Sequence, residues 1–193
     1  MIWKRARRPA SIFVVGVVLA VGAAVWSRPR LPTPAQVRTR YQPSDRAVLD
    51  RSGFILGSLR SSKDVRSLDW VELDRVSNVF VESLVKAEDR RFYSHFGVDP
   101  IAAARAAVDV VRGRGRSGAS TLTMQLAGLL SKEKKARKRG LKEKLFQMLD
   151  AVRLEARWSK REILEAYLNL VPFRGELIGL PATAAGFFAK SPS

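Results

Sequence analysis

The sequence predicts a mainly α-helical domain that contains one short β-hairpin near its start and follows a single membrane-spanning helix. Three observations carry this prediction: an uncharged run framed by arginines, two β-prone segments around a glycine turn, and a long series of segments with helical periodicity. With 193 residues, the chain is long enough for one domain with a sizeable core but too short for two large ones.

The composition limits the classes of partner and of site. Lys and Arg total 35 against 18 Asp and Glu, and the net charge of +17 favours an anionic partner such as nucleic acid, a membrane surface or a phosphate group. Because the chain has no cysteine and only one histidine, it excludes disulfide bonds, thiolate metal sites and metal sites built from several histidines.

The first 30 residues resemble a signal anchor. A basic tail, residues 1–9, precedes an uncharged run, residues 10–26, and arginines follow. At about 1.5 Å per residue this run lies at the short end of what spans a bilayer, and the tail is predicted to stay in the cytoplasm. The alternative is a cleaved signal peptide, because small residues at positions 22–24 suit a peptidase. Both interpretations export the rest of the chain, which keeps 29 basic against 18 acidic residues.

A linker and a hairpin are expected next. Four prolines predict a stiff, extended linker over residues 27–46, so the folded domain is expected over residues 47–193. The segments Ala47–Leu49 and Phe54–Leu56 flank a turn that contains Gly53, which is typical of a β-hairpin.

Every later segment is predicted to be helical. The first helix is expected from Asn78 to Tyr93. Asp99 then offers an N-cap and Pro100 a first-turn residue for a second helix that ends at Gly113.

The charged end of the first predicted helix is the strongest candidate for chemistry. Glu88, Arg91, Phe92 and His95 are three, four and seven positions apart, which places them on one helix face. A carboxylate on that face could serve as a general base. The alternative is a solvated helix end with ordinary ion pairs.

The segment Gly115–Leu126 predicts a flexible loop of small residues that leads into a helix. Backbone N–H groups at a helix start carry a partial positive charge, and the hydroxyls of Ser120 and Thr121 could join them around phosphate oxygens. A plain serine N-cap is the alternative, because the segment lacks the Gly-Lys-Ser/Thr ending of a Walker loop.

The run Lys132–Lys144 carries eight basic side chains. Such a run is usually a solvated face, but beside a bilayer it could hold anionic head groups or a lipid pyrophosphate. Nucleic acid would use the same charges, although the run has no interleaved aromatic residues and export removes this ligand.

Two further helices are predicted after the basic run. The first has Lys144 and Gln147 beside an apolar stripe, which comprises Leu141, Leu145, Met148, Leu149 and Val152. The second opens with a capping box at Ser159–Glu162 and runs toward Asn169, before Pro172 and Gly175 end it.

Together these segments resemble the glycosyltransferase domain of class A penicillin-binding proteins and monofunctional peptidoglycan glycosyltransferases, and within them the penicillin-binding protein 1C branch. Residues 88–99 match the family's first motif, Glu-Asp-x-x-Phe-x-x-His-x-Gly-x-Asp, at every defined position. Residues 117–125 resemble the second motif, and residues 159–169 reproduce Ser-Lys-x-x-Ile-Leu-Glu-x-Tyr-Leu-Asn. The resemblance covers nearly the whole chain, with a loose echo of a fifth motif at residues 184–190.

The resemblance implies a lysozyme-like fold that polymerises lipid II into glycan strands at the outer face of the bacterial cytoplasmic membrane. Glu88 would be the catalytic base that deprotonates the acceptor sugar, whose 4-hydroxyl attacks C1 of the donor and expels undecaprenyl pyrophosphate. Arg90 or Arg91 would favour the ionised base. The implied substrate-binding residues are Asp89, Phe92, His95, Gly118, Ser120, Thr121, Gln125, Lys144, Gln147 and Asn169.

The implied partners are lipid II, the growing glycan strand, the membrane with its anionic lipid and other cell wall synthesis proteins, but not nucleic acid. No metal-ligating residue is implied. A divalent cation, Mg or Mn, on the pyrophosphate is the one cofactor that the resemblance allows.

Three departures from the family pattern limit what the resemblance implies. Gln147 stands where the family has a second catalytic carboxylate, and Ala119 and Gly128 replace a glycine and a basic residue. The family also continues beyond Lys190, and class A members add a transpeptidase domain, so a truncated chain is expected. The alternative function is a noncatalytic, membrane-anchored binder of lipid II or anionic lipid; glycan cleavage with Glu88 as an acid is a third.

Overall fold

The structure is a computed structural model, and it describes residues 22, 29–113, 118–131 and 141–189. The chain divides into two compact units, residues 1–30 and residues 31–193. The predicted anchor, residues 10–26, lies outside the described residues except for Gly22. Among the helices of the described ranges, none combines the length and the apolar character that crossing a membrane requires.

The second unit is mainly helical, as predicted, and it also contains two small antiparallel hairpins. The described helices are α1 (Pro34–Arg40), α2 (Asn78–Glu88), α3 (Pro100–Val111), α4 (Leu122–Leu130), α5 (Leu141–Glu155), α6 (Lys160–Leu170) and α7 (Gly179–Phe188). The strands are β1 (Asp45–Leu49), β2 (Ile55–Arg60), β3 (Pro172–Arg174) and β4 (Leu177–Ile178).

The segment predicted as an extended linker contains helix α1. Thr33 and Gln36 form a capping box in which each side chain accepts a hydrogen bond from the other residue's backbone N–H. Pro34 occupies the first turn, where a missing N–H costs nothing. Because Val37 is buried in the main core, the compact unit begins at Leu31 and not at Ala47.

The first hairpin confirms the prediction. Strands β1 and β2 pair antiparallel around a turn in which Gly53 has φ +85°. The Asp50 carboxylate accepts hydrogen bonds from the Ser52 hydroxyl and from the backbone N–H groups of Ser52 and Phe54, and these bonds lower the pKa of Asp50. The carboxylate thereby holds the turn closed.

The second hairpin, β3 and β4, lies in a region predicted to be helical. Pro172 cannot continue helix α6, and Gly175, at φ +56°, turns the chain back on itself. Both residues are predicted to stop a helix, and the structure shows that a strand pair follows.

Helix α2 ends at Glu88, five residues before the predicted end at Tyr93. At Asp89 the backbone leaves the helix with φ −155° and ψ 72°, and its carboxylate accepts a hydrogen bond from Leu122 N–H of helix α4. This tertiary contact stops the helix. Glu88 and His95 therefore do not lie on one helix face, which corrects the prediction.

The apolar stripe predicted for α5 coincides only partly with the buried face of this helix. Leu145 and Val152 are exposed, whereas Ala151 and Leu154 are fully buried. The reason is a close approach of the chain at Gly97, where a Cβ atom would lie 2.6 Å from the carbonyl oxygen of Ala151. This backbone contact places Ala151 on the inward face of α5, and Leu154 packs into the main core from the same helix.

Candidate active site

A cavity of about 340 Å³ lies beside the end of α2, where the segment that leads into α4 and one face of α3 complete its walls. Its charged lining residues are Lys86, Glu88, Asp89, Arg90, Arg91, Asp99 and Arg105. The segment Gly118–Thr121 supplies a polar wall. The structure thus brings the first two sequence motifs together around one cavity.

Glu88 presents an exposed carboxylate at this cavity. Its Oε2 accepts a hydrogen bond from Gln125 Nε2 at 3.0 Å, and Gln125 Oε1 accepts one from the Tyr167 hydroxyl at 3.1 Å. A carboxylate held on one side and open on the other can take a proton from a hydroxyl that enters the cavity.

Asp89 and His95 lie beneath the cavity surface as a buried pair. His95 Nε2 is 3.0 Å from both carboxylate oxygens, and each side chain is about 3% exposed. The same carboxylate accepts the Leu122 N–H at 3.0 Å, and Nδ1 of His95 is buried without a partner among the described residues. Both residues are predicted to bind substrate, but this geometry suits them to position the chain.

Phe92 is fully buried under the same segment. The Lys160 ammonium lies 4.4 Å from the centroid of its ring and donates hydrogen bonds to the His95 carbonyl at 2.8 Å and to Glu155 Oε1 at 2.6 Å. Glu155 also accepts the Thr123 hydroxyl at 2.7 Å. This internal ion pair joins the first motif to α4, α5 and α6, and sequence reasoning missed Glu155 entirely.

Backbone N–H groups at the start of α4 are hydrogen-bonded to side chains of the protein itself. Thr121 is the N-cap: its hydroxyl accepts Met124 N–H and donates to the Gly97 carbonyl at 2.6 Å. The Leu122 N–H is bound to Asp89. The N-cap is therefore Thr121 and not Ser120, and two of the first N–H groups of the helix are already taken.

Ser120 remains at the cavity and accepts a hydrogen bond from the Lys144 ammonium. Gly118 is exposed in the same wall. Gln147 follows Lys144 by one turn of α5, and its side chain is half-buried. The structure thus places the Lys144 ammonium against Ser120 of the cavity wall, and Gln147 on the adjacent turn of α5.

Asn169 lies away from the cavity, fully buried in α6. Its Oδ1 accepts the Val71 N–H at 2.9 Å, and its Nδ2 donates to the carbonyls of Val71 and Glu165 at 2.8 Å. Gly179 packs against its backbone, since a Cβ atom there would lie 2.7 Å from the Asn169 carbonyl oxygen. Asn169 therefore anchors the segment before α2, although it is predicted to bind substrate.

Arg91 pairs with Asp99 and not with Glu88. The guanidinium makes hydrogen bonds of 2.6 to 2.9 Å with both carboxylate oxygens. Burial alone would raise the pKa of Asp99, but the Ala102 N–H and the Arg91 charge outweigh it and hold the pKa below its usual value. Arg90 and Arg105 line the cavity, and neither forms an ion pair within the described part of the chain.

Comparison with known proteins gives the same family that the motifs indicate. A sequence model of the family described as Transglycosylase matches residues 55–193. The chain is 34% identical over 185 residues to penicillin-binding protein 1A of Aquifex aeolicus, which covers 93% of this chain and 24% of that protein. It is 44% identical over 124 residues to penicillin-binding protein 1C of Escherichia coli, which covers 64% of this chain and 16% of that protein.

A shorter relative is the biosynthetic peptidoglycan transglycosylase of Thiobacillus denitrificans. It is 36% identical over 154 residues, which cover 78% of this chain and 64% of that protein. The chain thus spans a quarter or less of the two penicillin-binding proteins and somewhat under two thirds of this relative.

Proposed function

The chain belongs to the transglycosylase family, and on that premise we propose that it is a peptidoglycan glycosyltransferase that polymerises lipid II into glycan strands. One observation carries the proposal: the exposed Glu88 carboxylate, held by Gln125, faces a cavity lined by arginines. A general base beside cationic groups is the arrangement that attack on a glycosyl diphosphate needs.

In the proposed reaction, Glu88 takes the proton of the acceptor 4-hydroxyl as its oxygen bonds to C1 of the donor sugar. The bond between C1 and the diphosphate oxygen breaks, and undecaprenyl pyrophosphate leaves with the electron pair, which inverts the configuration at C1. The cations of the cavity stabilise the negative charge that develops on this leaving group.

The proposed contacts to the leaving group come from two walls of the cavity. Arg90 and Arg105 supply charge from one wall, and Lys144 supplies it beside the Ser120 hydroxyl. Gln147, one turn further along α5, can donate an amide hydrogen bond but cannot exchange a proton. Gly118 leaves room for the backbone wall to approach the substrate, since nothing lies within 4 Å of a Cβ atom built there.

The described residues do not by themselves form a site for a divalent cation. Within the described ranges, no group of three or more His, Asp and Glu side chains could hold a metal ion. Asp89 and Asp99 already bind His95 and Arg91, which leaves Glu88 as the cavity carboxylate without a basic partner among the described residues. We therefore derive no step from Mg or Mn and assign neutralisation of the diphosphate to lysine and arginine.

The proposed location is the outer face of the bacterial cytoplasmic membrane. The uncharged run, residues 10–26, would anchor the chain, and the basic run Lys132–Lys144 would face anionic lipid. A lysozyme-like arrangement of the helices and contacts with other cell wall synthesis proteins belong to the same proposal.

A polymerisation assay with lipid II tests the proposal. The wild-type chain in detergent is expected to form glycan strands, and Glu88→Gln is expected to lower the rate about 10²- to 10⁴-fold because the base is lost. Glu82→Gln is the matched control, since Glu82 is an exposed carboxylate on the same helix, and its one ion pair among the described residues is with Lys86. Product at equal rates from the wild type and Glu88→Gln would contradict the assignment of the base.

A further inference from the structure

The hydroxyl of Tyr167 is a buried polar group that the reaction described above does not use. Tyr167 lies on α6 in the main core and is 3% exposed. Its hydroxyl is 3.1 Å from Gln125 Oε1, and Gln125 Nε2 is 3.0 Å from Glu88 Oε2. Side chains from α6, α4 and α2 thus form a continuous series of hydrogen bonds that ends on the proposed base.

The direction of this series follows from the chemistry of its two ends. An ionised carboxylate can only accept, so Gln125 must present its Nε2 to Glu88. The Oε1 of the same amide then faces Tyr167, and the hydroxyl must donate. The reversed amide would put a carbonyl oxygen against the carboxylate, where two acceptors repel each other.

The environment of Tyr167 keeps its hydroxyl a donor. Burial raises the pKa of Tyr167 to about 12, and the negative charge of Glu88 adds to the rise. The hydroxyl therefore holds its proton throughout the neutral range, and Gln125 always meets a donor on that side.

We propose that Tyr167 is a positioning residue for the glycosyl transfer: its hydroxyl fixes the amide of Gln125 so that this amide donates to Glu88 and aims the base into the cavity. The inference rests on the proposed function, in which Glu88 is the base. A merely structural tyrosine would act through its packed ring, whereas this role needs only the oxygen atom.

The kinetic test removes that oxygen and keeps the ring. In the lipid II assay, Tyr167→Phe is expected to lower kcat about three- to tenfold, the effect of one hydrogen bond, with KM changed less than about twofold. Gln125→Leu is expected to lower kcat at least as much, and adding Tyr167→Phe to it causes no further loss because both changes break the same series. Additive losses in the double variant overturn the proposal.

Tyr93→Phe is the matched control for the kinetic test. Tyr93 is an exposed tyrosine within the first motif, residues 88–99, at a position that the motif leaves undefined, and its hydroxyl makes no hydrogen bond within the described residues. We expect this variant to keep the wild-type kcat. An equal loss in Tyr93→Phe and Tyr167→Phe overturns the proposal.

A second readout needs no substrate and therefore separates this inference from the proposed function. The side-chain amide of Gln125 is followed by ¹⁵N NMR on the full chain in detergent. We expect one Gln125 amide proton to be shifted downfield by the carboxylate in the wild type, and to lose that shift in Tyr167→Phe. An unchanged Gln125 resonance overturns the inference, and a wild-type chain that does not polymerise lipid II contradicts the proposed function instead.

Discussion

Glu88 and Asp89 are neighbours in the chain, but their carboxylates face opposite environments. Glu88 is exposed at the cavity, whereas Asp89 is buried against His95 and the Leu122 N–H. The resemblance assigns the base to Glu88 and substrate binding to Asp89. It does not predict which carboxylate turns inward, because the partner Leu122 lies 33 residues further along the chain.

Lys160 and Asn169 illustrate the same division within helix α6, in the motif that residues 159–169 reproduce. Inside the domain, the Lys160 ammonium donates hydrogen bonds to Glu155 and to the His95 carbonyl. The Asn169 side-chain amide makes hydrogen bonds with the backbones of Val71 and Glu165. A sequence match names such residues but does not say whether they face the substrate or the interior. Their contacts explain why a polar residue is needed there without any ligand.

The acid sensitivity of the fold is expected to depend on Asp99. Its pKa lies below the usual value in the folded chain, so its contribution to stability is present above the unfolded pKa of about 3.9 and disappears as pH falls through the folded value. Asp99→Asn keeps an N-cap acceptor for α3 but loses the charge that Arg91 binds. We expect it to lower the free energy of unfolding by about 1–2 kcal/mol at pH 7 and by less near pH 3.

Urea denaturation of the full chain in detergent at the two pH values measures this difference. Asp64→Asn is the control, since Asp64 is exposed and its carboxylate makes no hydrogen bond within the described residues. A loss for Asp99→Asn that stays the same at both pH values would rule out the ion pair as its cause.

The ends of the helices and strands show which boundaries can be predicted from neighbouring residues in the sequence. The capping box of α6, the Asp99 N-cap of α3 and the Gly53 turn are all confirmed, because each rests on hydrogen bonds between near neighbours in the chain. Helix α1 and the early end of α2 were not predicted. Helix α1 is held in place because Val37 is buried in the main core. Helix α2 ends where Asp89 accepts a hydrogen bond from the Leu122 N–H of α4. Both features therefore depend on residues that are distant in the chain.

The crossing of the first motif over α5 depends on a single glycine. Gly97 has φ +84°, and a Cβ atom there would meet the Ala151 backbone at 2.6 Å. Gly97→Ala is therefore expected to lower the free energy of unfolding by more than about 3 kcal/mol, through both strain and overlap with backbone that cannot move.

Gly53→Ala is the matched control for this change. Gly53 has nearly the same φ, +85°, but nothing lies within 4 Å of its added Cβ. Backbone strain alone should cost about 1 kcal/mol there, and the difference between the two variants in urea denaturation measures the overlap at Ala151. Equal losses would contradict the close approach.

In the compact unit, residues 31–193, the described motifs meet through a few internal bonds. Asp89 joins the first motif to α4, and Lys160 joins it to α5 and α6. Gln125 of α4 connects Tyr167 of α6 to Glu88. The ordered motifs predict a mainly helical domain with Glu88 as its catalytic base. The sequence does not predict which residues form these bonds, because the bonds join segments that are far apart in the chain.

Part of the net charge of +17 lies at the cavity, where arginines line the wall. The Asp99 carboxylate is paired with Arg91, and the Asp89 carboxylate is hydrogen-bonded to His95 and to the Leu122 N–H. Arg90 and Arg105, which also line the cavity, are therefore available to an anionic ligand. A cavity with one open carboxylate and excess cationic charge suits an anionic sugar donor better than a neutral glycan.

Chemical rescue of Glu88→Ala is the most direct measurement of the proposed role of Glu88. The variant leaves space for a small carboxylate, and formate added to the lipid II assay can replace the missing base. We expect Glu88→Ala alone to polymerise lipid II about 10²- to 10⁴-fold more slowly than the wild type, and to recover turnover as the formate concentration rises. The rate of Glu82→Ala is expected to be independent of formate. Wild-type turnover by Glu88→Ala without formate would contradict Glu88 as the base.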